Sequence, residues 1–378
     1  MPAATEASPT GAADADSPAG SRGQQNLAEL DALLARSCDF SDLPRWAGPL
    51  IEASAKAGED AGVALRLARK YGVLLPQPGG GQTAQRWAVL AAVAERSLTA
   101  ARVLEAHSDA LAILAEAGAP APAGTWGVFA AEAAPHRLEA SGPDDKTVLN
   151  GVKPWCSLAG QLDYALVTAH TGDERRLYQV GLRDVGVTVD PPARWVARGL
   201  RTVTSVAVRF DRTPAEPVGE PGWYLTRPGF AWGGMGVAAC WHGGARGLLA
   251  ALLRAAAERG GDLTAMHAGL TDAAVWASAA VLVRAAALID AGQAGGSAGE
   301  VLGLRVRAVA ASAAERAIRQ AGHALGPAPL AFDEDYARRM ADLELYVRQH
   351  HAERDLARLG TAASAGLAAP GGETGSRD

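Results

Sequence analysis

Two groups of residues in this sequence could do chemistry. The first is the run Leu149-Asn150-Gly151-Val152-Lys153-Pro154-Trp155-Cys156-Ser157, which sets an aromatic ring, a thiol and a hydroxyl in a row ahead of small residues up to Gly160. Trp offers a large rigid apolar face and Ser a hydroxyl that donates or accepts, a pairing that suits a flat ligand. The Asn-Gly step tolerates positive φ and predicts a hairpin turn at the start of the run. The second group is Asp342, Tyr346, His350 and Arg354, four residues apart, which a helix would place on one face. Imidazole titrates near neutral pH, so His350 is the candidate acid or base. The stripe faces either a ligand pocket or a subunit interface. His350-His351 is not read as a metal pair, because adjacent helical residues point apart and no further ligand stands at suitable spacing.

The elements that must position these residues change type twice along the chain. Residues 1–23 are rich in Ala, Ser, Pro and Gly and are expected to form a disordered tail. From Asn26, Leu27, Leu30, Leu33 and Leu34 recur at helical spacing. Further helices are predicted at 44–56, 60–71 and 83–117, which makes 24–118 a helical domain. After Gly118-Ala119-Pro120 the pattern becomes short apolar runs parted by turns. Strands are predicted at 126–130, 137–140, 147–152, 164–169, 177–182, 187–189 and 203–210, a small β-barrel or sandwich within a middle domain over 119–229. The helical period then returns at 233–258, 264–291, 298–324 and 332–359, parted by Gly and Pro. That reads as an antiparallel four-helix bundle over 230–360, with a flexible tail over 361–378. The fold class is α+β.

Composition narrows the function classes. The formal net charge of −5 argues against a nucleic-acid binder. The three cysteines, Cys38, Cys156 and Cys240, form no C-x-x-C pair and suggest neither a disulfide framework nor a zinc site. No uninterrupted apolar run reaches the ~20 residues of a membrane span, and the N-terminus lacks the basic start and apolar centre of a signal peptide. A cytoplasmic protein is expected, with no nucleic-acid or membrane partner. The glycines around Trp232-Gly233-Gly234-Met235-Gly236 lack the G-x-G-x-x-G spacing of a dinucleotide loop.

Domain order and motifs together resemble the acyl-CoA dehydrogenase family over about 24–360. Leu149-Asn150-Gly151, Lys153 and Trp155 are similar to the family's L-N-G-x-K-x-W-I-T segment, with Ser157 where Thr is usual. Gly199-Leu200-Arg201 and the stretch Val208 to Glu216 are similar to the motifs that close its β domain. Gln320 and Gly326 match the ends of its Q-x-x-G-G-x-G loop. The resemblance implies an FAD cofactor between β domain and bundle. Trp155 and Ser157 would touch the ring and Arg259 the pyrophosphate, while Gln320 and Gly326 would approach a neighbouring subunit's flavin. It implies α,β-dehydrogenation of an acyl thioester such as an acyl-CoA, and assembly as a homodimer or homotetramer through the bundle.

The departures are equally specific. The family's T-E-P-x-x-G-S-D loop is shortened to Ala130-Ala131-Glu132-Ala133-Ala134-Pro135-His136, without its Thr and Ser. The catalytic Glu of the straight-chain enzymes falls on His350. Glu258, near the end of the first bundle helix, is the candidate substitute base. Flavin-dependent monooxygenases of the same fold use a His near this point, so oxygenation is the competing expectation. A third is a non-catalytic subunit paired with an active paralogous partner.

Overall fold

The computed structural model describes residues 43–365. The tail expected over 1–23, the helix expected from Asn26, Cys38 and residues 366–378 lie outside the described residues.

The described chain opens with four helices, α1 (Ala47–Ala57), α2 (Ala61–Tyr71), α3 (Thr83–Arg96) and α4 (Leu98–Ala117). The single helix expected over 83–117 is two. Ser97 is extended (φ −149°), and its hydroxyl oxygen accepts the Ala100 N–H at 3.0 Å while donating to the Gly58 carbonyl at 2.6 Å. This N-cap starts α4 at a new angle. Trp87, Leu90, Val93, Val103 and Leu104 are buried, so the apolar period read in the sequence is the core face.

The middle region is one mixed sheet of eight strands: β1 (Trp126–Phe129), β2 (Leu138–Ser141), β3 (Val148–Ser157), β4 (Tyr164–Thr171), β5 (Glu174–Gly181), β6 (Val187–Val189), β7 (Ser205–Pro214) and β8 (Glu216–Val218). Their order is β6-β7-β3-β2-β4-β5-β8, with β1 parallel to β4 off that path. β3 pairs antiparallel with β2 and β7, and its register to β7 shifts twice. The first shift spans Leu149 and Gly151. Asn150-Gly151 is therefore a bulge inside a strand and not the hairpin turn its type suggests, and Gly151 takes φ 124° there. The second lies between Lys153 and Cys156 and turns Trp155 out of the sheet at φ 60°.

The C-terminal part has three long helices, α6 (Pro228–Arg259), α7 (Asp262–Asp290) and α8 (Gly296–Leu325), preceded by the short α5 (Trp223–Thr226). The fourth member of the bundle is segmented into α9 (Pro327–Phe332), α10 (Glu334–Tyr346) and α11 (Glu353–Ala365). The continuous helix expected over 332–359 is thus broken after Tyr346, and helix continues past Thr361, where a tail was expected. By length and composition α7 could cross a membrane, and it packs against α6 and α8. One core cluster runs from Leu50 and Trp87 through Phe129 and Val208 to Trp241 and Leu282, joining helices, sheet and bundle.

Candidate active site

A cavity of about 580 Å³ opens between α4, the β3 bulge, the turn before β7 and the end of α10. Its size lies within the range of small-molecule sites. Each wall traces to a local feature of the chain.

The β3 bulge supplies Trp155, which is 58% exposed and presents a bare ring to the cavity. Two residues on, Ser157 Oγ lies 2.8 Å from Ser205 Oγ on β7. Ser205 donates to the Val203 carbonyl at 3.2 Å. Ser157 therefore donates across the serine pair, and its lone pairs are left for a ligand.

The shortened loop after β1 places Glu132 at the cavity edge. Lys153 of β3, 1% exposed, holds it: Nζ donates to Glu132 Oε1 at 2.5 Å and to Thr168 Oγ1 at 2.8 Å. Burial raises the Glu132 pKa, but the Lys153 hydrogen bond together with the charges of Lys153, His170 and Arg175 outweighs it, and the carboxyl stays below its usual range.

Helix α4 contributes Arg102, Glu105 and Asp109 to the opposite wall. Arg102 Nη1 donates to Glu105 Oε2 at 3.1 Å. Burial pushes Glu105 up to about 7 in spite of this partner, and burial also raises Asp109. A carboxyl poised near neutrality in a cleft is a functional candidate.

The end of α10 and the turn after it bring Tyr346, Arg348, Gln349 and His351 to the cavity. α10 is fixed to the β domain by Asp342, whose carboxylate accepts the Leu200 N–H at 2.5 Å and holds Leu200 at φ 45°. Burial pushes Asp342 up to about 6.

The residues singled out in the sequence divide. Trp155 and Ser157 line the cavity together. His350 does not line it. The helix ends at Tyr346, a tight turn covers Val347–Gln349, and His350 is extended (φ −79°, ψ 122°), so the helical spacing from Asp342 fails. Its ring packs edge-on against buried Trp241 with centroids 6.2 Å apart, and its Nε2 is buried without a hydrogen-bond partner among the described residues. Burial and then Arg307 hold its pKa below the usual value. The neighbouring His351 faces the cavity in its place. Glu258 and Arg259 are exposed in the last turn of α6, outside the cavity. Gln320 is buried on α8 with Oε1 2.6 Å from His267 Nδ1, and Gly326 ends α8 at φ 68°; neither lines this chain's cavity.

Sequence reasoning missed Arg102, Glu105, Asp109, Glu132 and His351. A signal for the first three was present, since charged residues interrupt the apolar face of α4 at i, i+3 and i+7. Among the described residues no group of His, Cys, Asp or Glu is arranged to hold a metal ion.

No family model and no curated protein sequence matches the chain. Solved structures do. FMN-bound TdsC from Paenibacillus sp. A11-2 superposes with a TM-score of 0.70 at 16% identity, covering 86% of this chain and 96% of that one. A nitrososynthase from Micromonospora carbonacea var. africana gives 0.69 at 15% identity, covering 86% and 99%. Butyryl-CoA dehydrogenase from Megasphaera elsdenii gives 0.69 at 17% identity, covering 88% and 97%. Identities this low speak to architecture, and the architecture is shared across nearly the full length of each: the chain has the acyl-CoA dehydrogenase fold of these flavoproteins.

Proposed function

We propose that this protein is a flavin-dependent monooxygenase, working on a small substrate held between Trp155 and α4. The observation that carries this reading is what the C-terminal segment brings to the cavity: Arg348, Gln349 and His351, with no carboxylate among them. The substitute base expected for desaturation, Glu258, is exposed outside the cavity.

The cavity fits a flavin ring on its own features. Trp155 offers an uncovered apolar face, and Ser157 offers unshared lone pairs to a ring N–H. Reduced flavin, when bound, supplies activated oxygen. Trp155 would orient the ring by stacking, and Ser157 Oγ would accept its N–H. His351 would hold or move the substrate proton at Nε2, because its Nδ1 lies 3.7 Å from Asp355 and faces that carboxylate. TdsC is described as a dibenzothiophene monooxygenase and has been seen with FMN and indole, which supports an aromatic substrate here too. The FAD form would draw Gln320 and Gly326 from a neighbouring copy, as the family resemblance implies, and so goes with homo-oligomeric assembly.

A second reading is dehydrogenation of an acyl thioester. Glu105 favours it, being a carboxyl in the cavity that could take a proton from a substrate carbon.

The purified protein separates these readings. A flavin spectrum is expected on isolation or after adding FMN or FAD. With an external flavin reductase and isotope-labelled dioxygen, label should enter an aromatic probe such as indole. Anaerobic bleaching of bound flavin by an acyl-CoA, with no label transfer, would reverse the order of the two readings. Failure to take up any flavin would leave only the non-catalytic subunit.

A further inference from the structure

We propose that Asp109 anchors the polar end of the substrate, and that the substrate presents to it a protic heteroatom, an O–H or N–H group. This rests on the reading of the cavity as the reaction site. Asp109 lies on α4 one turn beyond Glu105 and lines the cavity. Its carboxylate forms no hydrogen bond and no close ion pair among the described residues.

Most of the donors around it are committed elsewhere. Arg102 of the same helix is held by Glu105 at 3.1 Å. Arg227, at the start of α6, is bound through Nη1 to the Glu116 carboxylate, and its Nε has no partner among the described residues but makes no hydrogen bond to Asp109. Arg86 of α3 donates to the Pro76 carbonyl at 3.1 Å and to Ser108 Oγ at 2.9 Å. These three cations reach Asp109 only through their fields, which favour its charged form, while burial and the Glu116 charge oppose it. Tyr224 of α5 also lies within the field of this carboxylate. On the α6 side a Cβ at Gly233 would stand 2.8 Å from Asp109 Oδ1, so bare helix backbone closes that face. What remains is the cavity.

A largely buried carboxylate with no donor is unfavourable as an anion. A ligand that donates a hydrogen bond removes the deficit; one that only accepts, such as a thioester carbonyl or an ether, leaves it. Sites of this type discriminate strongly for a donor, because the analogue lacking it leaves a buried polar group unpaired. A hydroxyl and an amine share the required chemistry.

The test is calorimetric titration of the protein as purified, its flavin content read from absorbance, with phenol, benzylamine and anisole. Phenol or benzylamine should bind about ten-fold or more tightly than anisole, the scale of one hydrogen bond to a charged group. Preference for phenol marks a hydroxyl substrate and preference for benzylamine an amine. Asp109→Leu should abolish the advantage. Anisole binding as tightly as both donors, or a preference that survives Asp109→Leu, overturns the proposal. Where no probe binds, or the Leu variant does not fold, Asp109→Asn decides by thermal melting at mildly alkaline pH. Its melting temperature should exceed that of the wild type, since an unpaired anion is removed. An equal or lower value overturns the anchor. A protein that takes up neither FMN nor FAD when they are added, yet keeps the donor preference, would sink the flavin reading and leave the anchor standing. A flavin-loaded protein without the preference would sink the anchor alone.

Discussion

His350 and His351 are neighbours in sequence with opposite surroundings, and they should respond differently to removal. His351→Ala takes away the imidazole that faces the cavity. If it handles the substrate proton, turnover should fall about 10²–10⁴-fold, with flavin content unchanged. His350→Ala leaves a void beside Trp241 and should lower stability by about 1–3 kcal/mol without moving the pH profile. Turnover lost in the His350 variant and kept in the His351 variant would restore the helical reading of the sequence. Glu105 makes a second prediction. Its carboxyl is held up at about 7 against a reference of 4.5, so the folded state keeps this proton after the unfolded chain has lost it. Its contribution is therefore complete below about 4.5 and is lost as pH rises through 7. Denaturation series across that window should show stability falling with pH, and Glu105→Gln should flatten the fall. At this scale the sequence was readable where a motif carried the residue, as for Trp155 and Ser157. It was not readable where tertiary bonds decide a side chain's direction. Arg307 donates to the Gln349 carbonyl at 2.7 Å and the His351 N–H reaches Asp355 at 3.2 Å, and these bonds accompany the break that swaps one His for the other.

Between elements, the cavity depends on how α10 meets the turn ahead of β7. A Cβ at Gly199 would stand 1.9 Å from the Ala341 carbonyl, too close for any side chain. Gly199→Ala should cost about 1–3 kcal/mol or more by overpacking. Asp342→Ala should cost a similar amount, because the Leu200 N–H is left buried without an acceptor. Both variants should weaken flavin binding, since Leu200 lines the cavity. Urea titration and flavin dissociation measure the two effects, and a variant that loses stability while holding flavin normally would uncouple the turn from the site. Periodicity made these elements visible: α6, α7, α8 and seven of the eight strands fall close to where alternation and helical spacing put them. The breaks were harder to see. Ser97 ends α3 and starts α4 through a bond to Gly58, which is distant in sequence. Asn150-Gly151 has turn chemistry but sits in a strand held on both sides by β2 and β7.

On the scale of the whole molecule, α7 carries an apolar face that no other described residue covers. Leu263, Met266 and Leu270 recur at i, i+3 and i+7 and are exposed. His267 stands on the same side of the helix, bonded to Gln320, the residue that the family resemblance sets beside a neighbouring subunit's flavin. An exposed apolar stripe next to such a residue marks an interaction surface. We expect the protein to be a dimer or larger in solution, with the α7 stripe in the contact. Leu263→Asp combined with Leu270→Asp should shift light-scattering mass toward the monomer while helical content by circular dichroism is kept, because both side chains are already exposed among the described residues. If Gln320 and Gly326 complete a neighbouring copy's site, the dissociated variant should also release flavin more readily, and the loss should track the monomer fraction as protein concentration is lowered. A monomeric wild type would remove the α7 contact from the account. A dissociated variant that keeps its flavin would show that each chain holds the cofactor with its own cavity alone.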